Sequence, residues 1–399
     1  MLTSLARRCI RAPRVVPIPQ GRSLSASPAT AAARAIVYSG NGNPSEVLSV
    51  LTFPDLPPPP TNTLNVQFLL SPINPADINV IEGVYPSKPK LNGNLTTSGL
   101  GSQQDPVFVG GNEGLARVSA LGSGVEGLQE GDWVVMKTPQ VGTWRTSANV
   151  KPGDVLKVPS ADKLTPVQAA TLVVNPPTAW NLLHDFVQLS EGDWVIQNGA
   201  NSAVGQCVIQ VAAAKGYKTI NLVRNRSDLP ILQQRLRELG ATEVLTYDEL
   251  AQDGIRDKIK SWTNGKDIKL GLNCVGGPDT TRMARFLGKD AHLVSYGAMS
   301  KAPLSLPTSL FIFKNLTSHG FWQSRWYADH SLEEQQSMLR TLTELMANGK
   351  LLAPDHEIAS IRGSDSDEVA SEHIRSMVEG ITSGQYGKKV LLQFESDEA

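Results

Sequence analysis

Cysteine is scarce in this 399-residue sequence, which contains only Cys9, Cys207 and Cys274. Three cysteines this far apart exclude a disulfide framework and a cysteine-based zinc site, and they favour a reducing compartment. No apolar run reaches the roughly 18 residues that a membrane-spanning helix requires, which argues against a transmembrane protein. The six histidines show no His-x-x-x-His spacing, and no G-x-S-x-G nucleophile elbow occurs. The sequence therefore offers no support for a histidine-based metal site or for serine-hydrolase chemistry.

Acidic residues are absent from the first 45 positions, which carry six arginines. Residues 1–33 are also rich in serine and alanine and are interrupted by prolines, a composition typical of a mitochondrial transit peptide. A disordered basic tail is the alternative. Without these six charges the net charge of −1 becomes −7 for the rest of the chain, and an acidic body argues against nucleic-acid binding.

Three stretches follow the basic leader. Residues 35–165 contain strand-like runs and frequent glycines, which indicate a compact barrel-like β domain. Over residues 165–325, strand-like and helix-like runs alternate, which predicts a doubly wound parallel sheet and an α/β fold of the Rossmann type. Residues 325–399 predict two helices and a final strand that returns to complete the first domain.

The strands predicted in detail are Asn65–Leu70, Trp133–Met136, Trp194–Gln197, Thr219–Val223, Val244–Leu245, Leu270–Val275, His292–Tyr296 and Lys389–Phe394. The helices predicted within the parallel sheet are Val204–Lys215, Leu229–Leu239, Ile255–Trp262 and Asp279–Leu287.

A turn of small residues joins the first strand of the parallel sheet to its helix. Small residues let backbone N–H groups approach a phosphate, and the helix N-terminus adds a favourable dipole. The dinucleotide fingerprint G-x-G-x-x-G falls on Ala200, Ser202 and Gly205, of which only the last is glycine. An ordinary strand–helix turn is therefore the alternative to a cofactor site.

The end of the second strand indicates which dinucleotide would bind. An NAD site usually places an acid about 20 residues after the last glycine, where it binds the ribose 2′-hydroxyl. Arg224 and Arg226 occupy this zone here. Two guanidinium groups can pair with a 2′-phosphate, so the sequence predicts NADPH, unless both arginines are simply solvated.

The run Gly110–Gly122, followed by Gly131-Asp-Trp-Val134, resembles the signature of the medium-chain dehydrogenase/reductase superfamily. In the zinc alcohol dehydrogenases of that superfamily, a histidine of the signature binds the catalytic zinc. Asn112 stands in its place here, next to Glu113. Because amide nitrogen is a poor zinc ligand, we expect no metal and a hydride transfer without Lewis-acid help.

The run Asn74–Pro89, which contains Tyr85, is similar to the tyrosine motif of the mitochondrial 2-enoyl thioester reductases, also called enoyl-acyl-carrier-protein reductases. The chain beyond about residue 35 fits that family in order and length. Further matching segments are Val174–Thr178, Asn201–Val204, Tyr296–Met299, Gly320–Trp322 and Lys388.

This resemblance implies a GroES-like catalytic domain beside the Rossmann domain, and a homodimer that pairs through its cofactor domains. It implies NADPH-dependent reduction of trans-2-enoyl thioesters, carried on acyl carrier protein or CoA, in fatty acid synthesis in the mitochondrial matrix. Tyr85 would be the catalytic proton donor. The cofactor-binding positions would be Asn175, Asn201, Ser202, Ala203, Val204, Gly205, Arg224, Asn225, Arg226, Tyr296, Gly297, Ala298, Met299, Phe321, Trp322, Gln323 and Lys388.

The residue types suit this chemistry. Hydride addition at C3 places negative charge on the thioester oxygen, which needs hydrogen-bond donors in a dry pocket, and a proton must then reach C2. A phenol with its ordinary pKa of about 10 stays protonated near neutral pH and can donate. The alternatives are that Tyr85 only lines the pocket or that water supplies the proton. A zinc-free quinone oxidoreductase and a non-catalytic NADPH-binding regulator are the rival functions.

Overall fold

The computed structural model of the protein describes residues 32–386 and 388–395. The predicted transit peptide lies outside this range except for its last two residues. Ala33, which we expected to belong to the leader, is buried in the first strand and pairs with Phe53. Strand β1 therefore includes the last residue of the predicted leader, because Ala33 packs into the sheet. Among the described residues, no helix combines the length and the hydropathy needed to cross a bilayer.

The strands are β1 (Ala33–Tyr38), β2 (Ser49–Phe53), β3 (Leu64–Pro72), β4 (Phe108–Val109), β5 (Leu115–Leu121), β6 (Trp133–Met136), β7 (Ser147–Val150), β8 (Val155–Lys157), β9 (Trp194–Gln197), β10 (Lys218–Val223), β11 (Glu243–Thr246), β12 (Ile268–Asn273), β13 (Leu287–Ser295), β14 (Thr317–Gly320), β15 (His356–Ile361) and β16 (Lys389–Phe394).

The α-helices are α1 (Pro44–Val47), α2 (Pro75–Ile81), α3 (Pro166–Ala170), α4 (Asn175–His184), α5 (Ala203–Ala214), α6 (Leu229–Glu238), α7 (Ile255–Trp262), α8 (Gly277–Ala284), α9 (Thr308–Lys314), α10 (Gln323–Asp329), α11 (Leu332–Ala347) and α12 (Asp367–Thr382).

Six parallel strands form one sheet in the order β11-β10-β9-β12-β13-β14. The order reverses between β9 and β12, as in doubly wound dinucleotide-binding folds, whose ligands bind beyond the carboxyl ends of the strands at such a switch point. Apolar clusters cover the sheet, because its central strands are buried on both faces. The predicted α/β fold with a Rossmann sheet is confirmed.

Two further sheets contain the remaining strands. The smaller has the order β2-β1-β4, and the larger has β15-β16-β3-β5-β6-β8 with β7 also paired to β3. The last strand, β16, runs antiparallel to β3, with Leu391 opposite Pro72. The prediction that the C-terminal strand returns to the first part of the chain is confirmed, and this return places the residues around Lys388 beside the parallel sheet.

Several predicted boundaries in the parallel sheet are wrong. The strand predicted over His292–Tyr296 begins five residues earlier, at Leu287, and ends at Ser295. The predicted helix Asp279–Leu287 ends at Ala284, because Leu287 pairs with Ile268 and begins β13. The predicted strand Leu270–Val275 ends at Asn273, whose side-chain oxygen accepts the backbone N–H groups of Val275 at 3.1 Å and of Gly276 at 3.0 Å. This local hydrogen bonding turns the chain away from the sheet.

Candidate active site

Ser202 and Gly205 determine how the turn after β9 leads into α5. Ser202 is the N-cap of α5, and its hydroxyl accepts the Gly205 N–H at 3.1 Å. A Cβ atom at Gly205 would lie 2.6 Å from the Ala200 carbonyl oxygen and 2.7 Å from that of Gly199. Gly205 therefore allows close packing of the helix on the strand, whereas Ala200 and Ser202 occupy positions where side chains fit.

A cleft of about 600 Å³ opens beyond the carboxyl ends of the parallel strands. The β9–α5 turn and the end of β10 form one wall, and the segments before and at the start of β16 form the other. Among the predicted cofactor-binding residues, the cleft brings together Asn201, Ser202, Ala203, Arg224, Asn225, Arg226 and Lys388.

The charges of this cleft suit a phosphate group. Arg226 donates from Nη2 to Oδ2 of Asp228 at 2.9 Å, so its guanidinium is held at the cleft by a carboxylate. Arg224 and Lys388 are exposed beside it. The two guanidinium groups after β10 and the ammonium group before β16 form the kind of donor set that binds a 2′-phosphate.

Other predicted cofactor-binding residues lie away from this cleft. Val204 packs against the core, and Phe321 meets Phe186 edge-on at 6.0 Å between ring centroids. Gly205 and Tyr296 do not line the cleft, and neither does the exposed segment Gly297, Ala298 and Met299. Cofactor contact by these residues stays a prediction.

Three predicted residues have a buried polar atom without a hydrogen-bond partner in the described structure: Nδ2 of Asn175, the hydroxyl of Tyr296 and Nε2 of Gln323. Buried polar groups are nearly always hydrogen-bonded. A polar ligand would satisfy such groups, and the cleft with its arginines suits the phosphates of a dinucleotide.

A second pocket of about 80 Å³ is lined by Tyr85, Asn74, Asn112, Val174, Trp322 and Gln323, among others. The short segment that enters α2 separates it from the cleft, because Ile73 and Pro75 line the cleft whereas Asn74 and Ala76 line the pocket. The cleft and the pocket therefore share this segment as a wall.

Tyr85 is fixed in the pocket by Trp322. The Trp322 Nε1–H donates to the Tyr85 hydroxyl oxygen at 2.8 Å, and the two rings meet edge-on with centroids 6.0 Å apart. Burial raises the pKa of Tyr85 above its ordinary value, the hydrogen bond from Trp322 opposes this, and the charge of Asp77 adds to it. The phenol is thus protonated at neutral pH, and Trp322, predicted as a cofactor contact, contacts the tyrosine.

A buried polar cluster forms the wall behind the pocket. Glu113 is fully buried and accepts the N–H groups of Val173 and Val174 at 3.0 and 2.9 Å. Its other carboxylate oxygen accepts Asn74 Nδ2 at 3.0 Å. Lys389 donates to the side-chain oxygen of Asn74. The cluster therefore joins α2, the start of α4 and β16 around the pocket.

Asp77 completes this cluster and caps α2. Its carboxylate accepts the Asn74 N–H at 2.7 Å, three residues back. Burial raises the pKa of Asp77 to about 7, against the opposing effects of this hydrogen bond and of the positive charge of Lys389. Burial also raises the pKa of Glu113 and lowers that of Lys389. Sequence reasoning assigned no role to these residues, although Glu113 and Asp77 lie inside the two motifs that it singled out.

Asn112, at the position of the zinc-binding histidine, accepts the Gln140 N–H at 2.6 Å through its side-chain oxygen. Within residues 32–386 and 388–395, no group of three or more His, Cys, Asp or Glu side chains is arranged to hold a metal ion.

Comparisons with known proteins agree with this geometry. A family model described as zinc-binding dehydrogenase matches residues 203–344, a stretch that begins after Asn112. The chain is 40% identical over 361 residues to the mitochondrial enoyl-[acyl-carrier-protein] reductase of Schizosaccharomyces pombe, covering 90% of this chain and 94% of the relative. The chain belongs to the mitochondrial enoyl-[acyl-carrier-protein] reductase family.

Solved structures agree with this membership. The mitochondrial 2-enoyl thioester reductase Etr1p/Etr2p heterodimer from Candida tropicalis is 37% identical, with a TM-score of 0.82 over 91% of this chain and 99% of that one. A complex of Etr1p with NADP and crotonyl-CoA is 36% identical, with a TM-score of 0.83 over 90% of this chain and 99% of that one. The family predicted from the tyrosine motif is confirmed.

Proposed function

We propose that this enoyl reductase converts trans-2-enoyl thioesters, on acyl carrier protein or on CoA, into saturated thioesters, and that Tyr85 donates the proton that reaches C2. When bound, NADPH supplies the hydride that adds to C3. Hydride and proton together saturate the carbon–carbon double bond, so atoms and electrons balance. The reaction belongs to fatty acid synthesis in the mitochondrial matrix, in keeping with the mitochondrial names of the relatives.

The hydrogen bond between Trp322 and Tyr85 carries the proposal for the proton donor. Because the indole N–H donates at 2.8 Å, it occupies one acceptor direction of the phenol oxygen and leaves the phenol's own proton to point elsewhere. Tyr85 lines the pocket, so that proton is available to a molecule bound there. Gln323 also lines the pocket, and its unpartnered Nε2 is a second donor for the charge that develops on the thioester oxygen.

The residues that line the cleft support an assignment of the cofactor-binding roles. We propose that Asn201, Ser202 and Ala203 approach the phosphates at the N-terminus of α5, and that Arg224 and Arg226 bind the 2′-phosphate. Asn225 and Lys388, which line the same cleft, support this placement. The remaining predicted contacts, led by Asn175 and Tyr296 with their unpartnered atoms, would lie toward the nicotinamide.

We also propose two domains, a cofactor domain over residues 165–325 and a catalytic domain over residues 35–165 and 325–399. Support comes from the strands, since the parallel sheet uses only Trp194–Gly320 whereas the other two sheets use strands on either side of it.

A homodimer is the proposed assembly. Strand β14 is the edge of the parallel sheet and is largely exposed. The preceding helix, α9, exposes Phe311, Ile312 and Phe313. An unpaired strand edge beside exposed apolar side chains suits pairing with a second copy.

A substrate assay tests the proposed activity. The purified protein would receive NADPH with either crotonyl-CoA or a quinone, and both NADPH oxidation and the acyl product would be measured. We expect one NADPH oxidised for each crotonyl-CoA saturated. Quinone turnover without enoyl turnover would identify a quinone oxidoreductase, and NADPH binding without turnover of either would identify a regulator.

A further inference from the structure

A further cavity of about 540 Å³, distinct from the pocket around Tyr85, adjoins the cofactor cleft. It shares several lining residues with the cleft, among them Asn201, Arg226, Asp228 and Lys388. Helix α6 adds Arg235 to this cavity. The basic residues that line it are thus Arg226, Arg235 and Lys388, from the end of β10, from α6 and from the segment before β16. Sequence reasoning identified the first and the last and gave no role to Arg235.

Arg235 is placed at this cavity by the periodicity of α6. Ile231 and Leu232 also line the cavity, and they precede Arg235 by four and three residues, which places each of them on the same face of the helix as Arg235. Leu236, the next residue, is fully buried in the core beneath. The helix therefore presents Arg235 toward the phosphate-binding region that Arg226 marks.

A carboxylate holds each arginine at this cavity. Asp228 pairs with Arg226, and Asp355, in the segment that enters β15, pairs with Arg235. Both ion pairs are partly exposed, with side-chain exposures of 42% and 45% for the first pair and 33% and 46% for the second. Exposed ion pairs contribute little net stability. A phosphate dianion with three acceptor oxygens can therefore replace these carboxylates as the partner of the guanidinium groups.

We propose that Arg235 is a further specificity-determining residue, which binds the 2′-phosphate of NADPH together with Arg226, and that Asp355 is the counter-ion it exchanges for that phosphate. The inference rests on the proposed cofactor. The competing explanation is that the Arg235–Asp355 pair only clamps α6 to the tail of the chain. A clamp would affect NADPH and NADH alike, whereas a phosphate ligand affects only the cofactor that carries the phosphate.

The test compares Arg235→Gln with Arg237→Gln. Arg237 lies on the same helix, is exposed and lines neither cavity. Calorimetry would measure the Kd values of NADPH, NADH, 2′,5′-ADP and 5′-AMP for each full-length protein, with thermal melting as the check on folding. A hydrogen bond to a charged group is worth about 1.5–3 kcal/mol. We therefore expect Arg235→Gln to raise the Kd values of NADPH and 2′,5′-ADP roughly 10-fold or more. NADH and 5′-AMP should bind as before, and Arg237→Gln should change none of the four Kd values.

A second variant, Asp355→Asn, leaves Arg235 in place and removes the competing carboxylate. We expect it to tighten NADPH binding without tightening NADH binding. If both substitutions raised the Kd values of NADPH and NADH equally, the pair would act only as a clamp and the proposal would be overturned. An unchanged ratio of the two Kd values in Arg235→Gln would overturn it as well. Failure of the unmodified enzyme to bind NADPH would overturn the proposed cofactor itself.

Discussion

The Tyr85 hydroxyl carries a single proton, and its oxygen accepts a hydrogen bond from the Trp322 N–H at 2.8 Å, which orients the phenol. An indole can donate but cannot accept a hydrogen bond, so the phenol cannot use its proton on this partner. The edge-on contact between the two rings fixes the aromatic plane as well. A single pair of side chains thus orients the donor and leaves its proton free for the pocket.

Replacing Tyr85 by phenylalanine tests the proton donor. The ring and its packing remain while the hydroxyl is lost, so we expect kcat with crotonyl-CoA to fall roughly 10²–10⁴-fold, the usual contribution of a general acid. The Kd of NADPH should not change, because Tyr85 lines the pocket and not the cofactor cleft. Tyr217→Phe, which alters a tyrosine outside both, is the matched control. Unchanged turnover in Tyr85→Phe would assign the proton to water.

Replacing Trp322 by phenylalanine tests how the donor is tuned. The hydrogen bond from Trp322 lowers the pKa of Tyr85, so its loss should raise that pKa. Since the protonated phenol is the active form, the alkaline decline of kcat should move to higher pH, with a reduced plateau because the phenol is less well oriented. The measurement is the pH profile of kcat under saturating substrate. An alkaline limb that moves to lower pH, or does not move, would contradict this role for Trp322.

At the scale of elements, the start of α2 lies within a buried cluster of ionisable side chains. Asp77, Glu113 and Lys389 bring two carboxyl groups and one ammonium group out of water together. Ionisation of both carboxyl groups would leave one negative charge uncompensated by the lysine. Burial of such a charge is costly, which is the physical reason that Asp77 keeps its proton up to about pH 7.

This raised pKa predicts how stability depends on pH. An aspartic acid has a pKa of about 3.9 when unfolded, so between about pH 4 and 7 the folded protein holds one more proton than the unfolded chain. The stability that protonated Asp77 contributes is fully present below about pH 4 and is lost as the pH rises to 7. Over that range the free energy of unfolding falls by up to about 1.4 kcal/mol per pH unit. Asp77→Asn removes this titration, so its free energy of unfolding should decline less steeply over pH 4–7.

Urea unfolding at several pH values measures these slopes. Asp55→Asn is the control, since it makes the same chemical change on an exposed loop and should keep the slope of the unmodified protein. The same slope in Asp77→Asn as in the unmodified protein would show that Asp77 does not carry this proton.

Sequence pattern predicted some elements to the residue and missed others for physical reasons. Strands β6, β9 and β16 and helix α7 have the predicted bounds, because each is a continuous run of one periodicity between turn residues. Helices α2 and α4 were not predicted. Both begin with proline at N1 or N2, and their stability comes from buried contacts such as those of Glu113, which local pattern does not contain.

At the scale of the whole molecule, the cofactor cleft depends on contacts between distant parts of the chain. The glycine turn and the arginines after β10 could be predicted because they are local motifs. Lys388 was found only through family resemblance, since its place opposite Arg226 depends on the return of β16. The Trp322–Tyr85 hydrogen bond joins residues 237 positions apart. The Arg235–Asp355 pair joins α6 to the segment before β15 at the cavity beside the cleft, so neither contact had a signal in sequence spacing.

The edge of the parallel sheet bears on the assembly of the whole molecule. Strand β14 has a neighbour on one side only, and Ile312 and Phe313 nearby are 67% and 79% exposed. Apolar side chains this exposed are costly unless covered, and a second copy would cover them while satisfying the edge strand. We therefore expect twice the chain mass by light scattering, and a monomer for the double variant Ile312→Asp with Phe313→Asp. Val369→Asp, at an exposed apolar position on α12, should leave the dimer intact. A dimer that survives the double variant would place the interface on another surface, because two buried carboxylates facing their own symmetry copies could not be accommodated there.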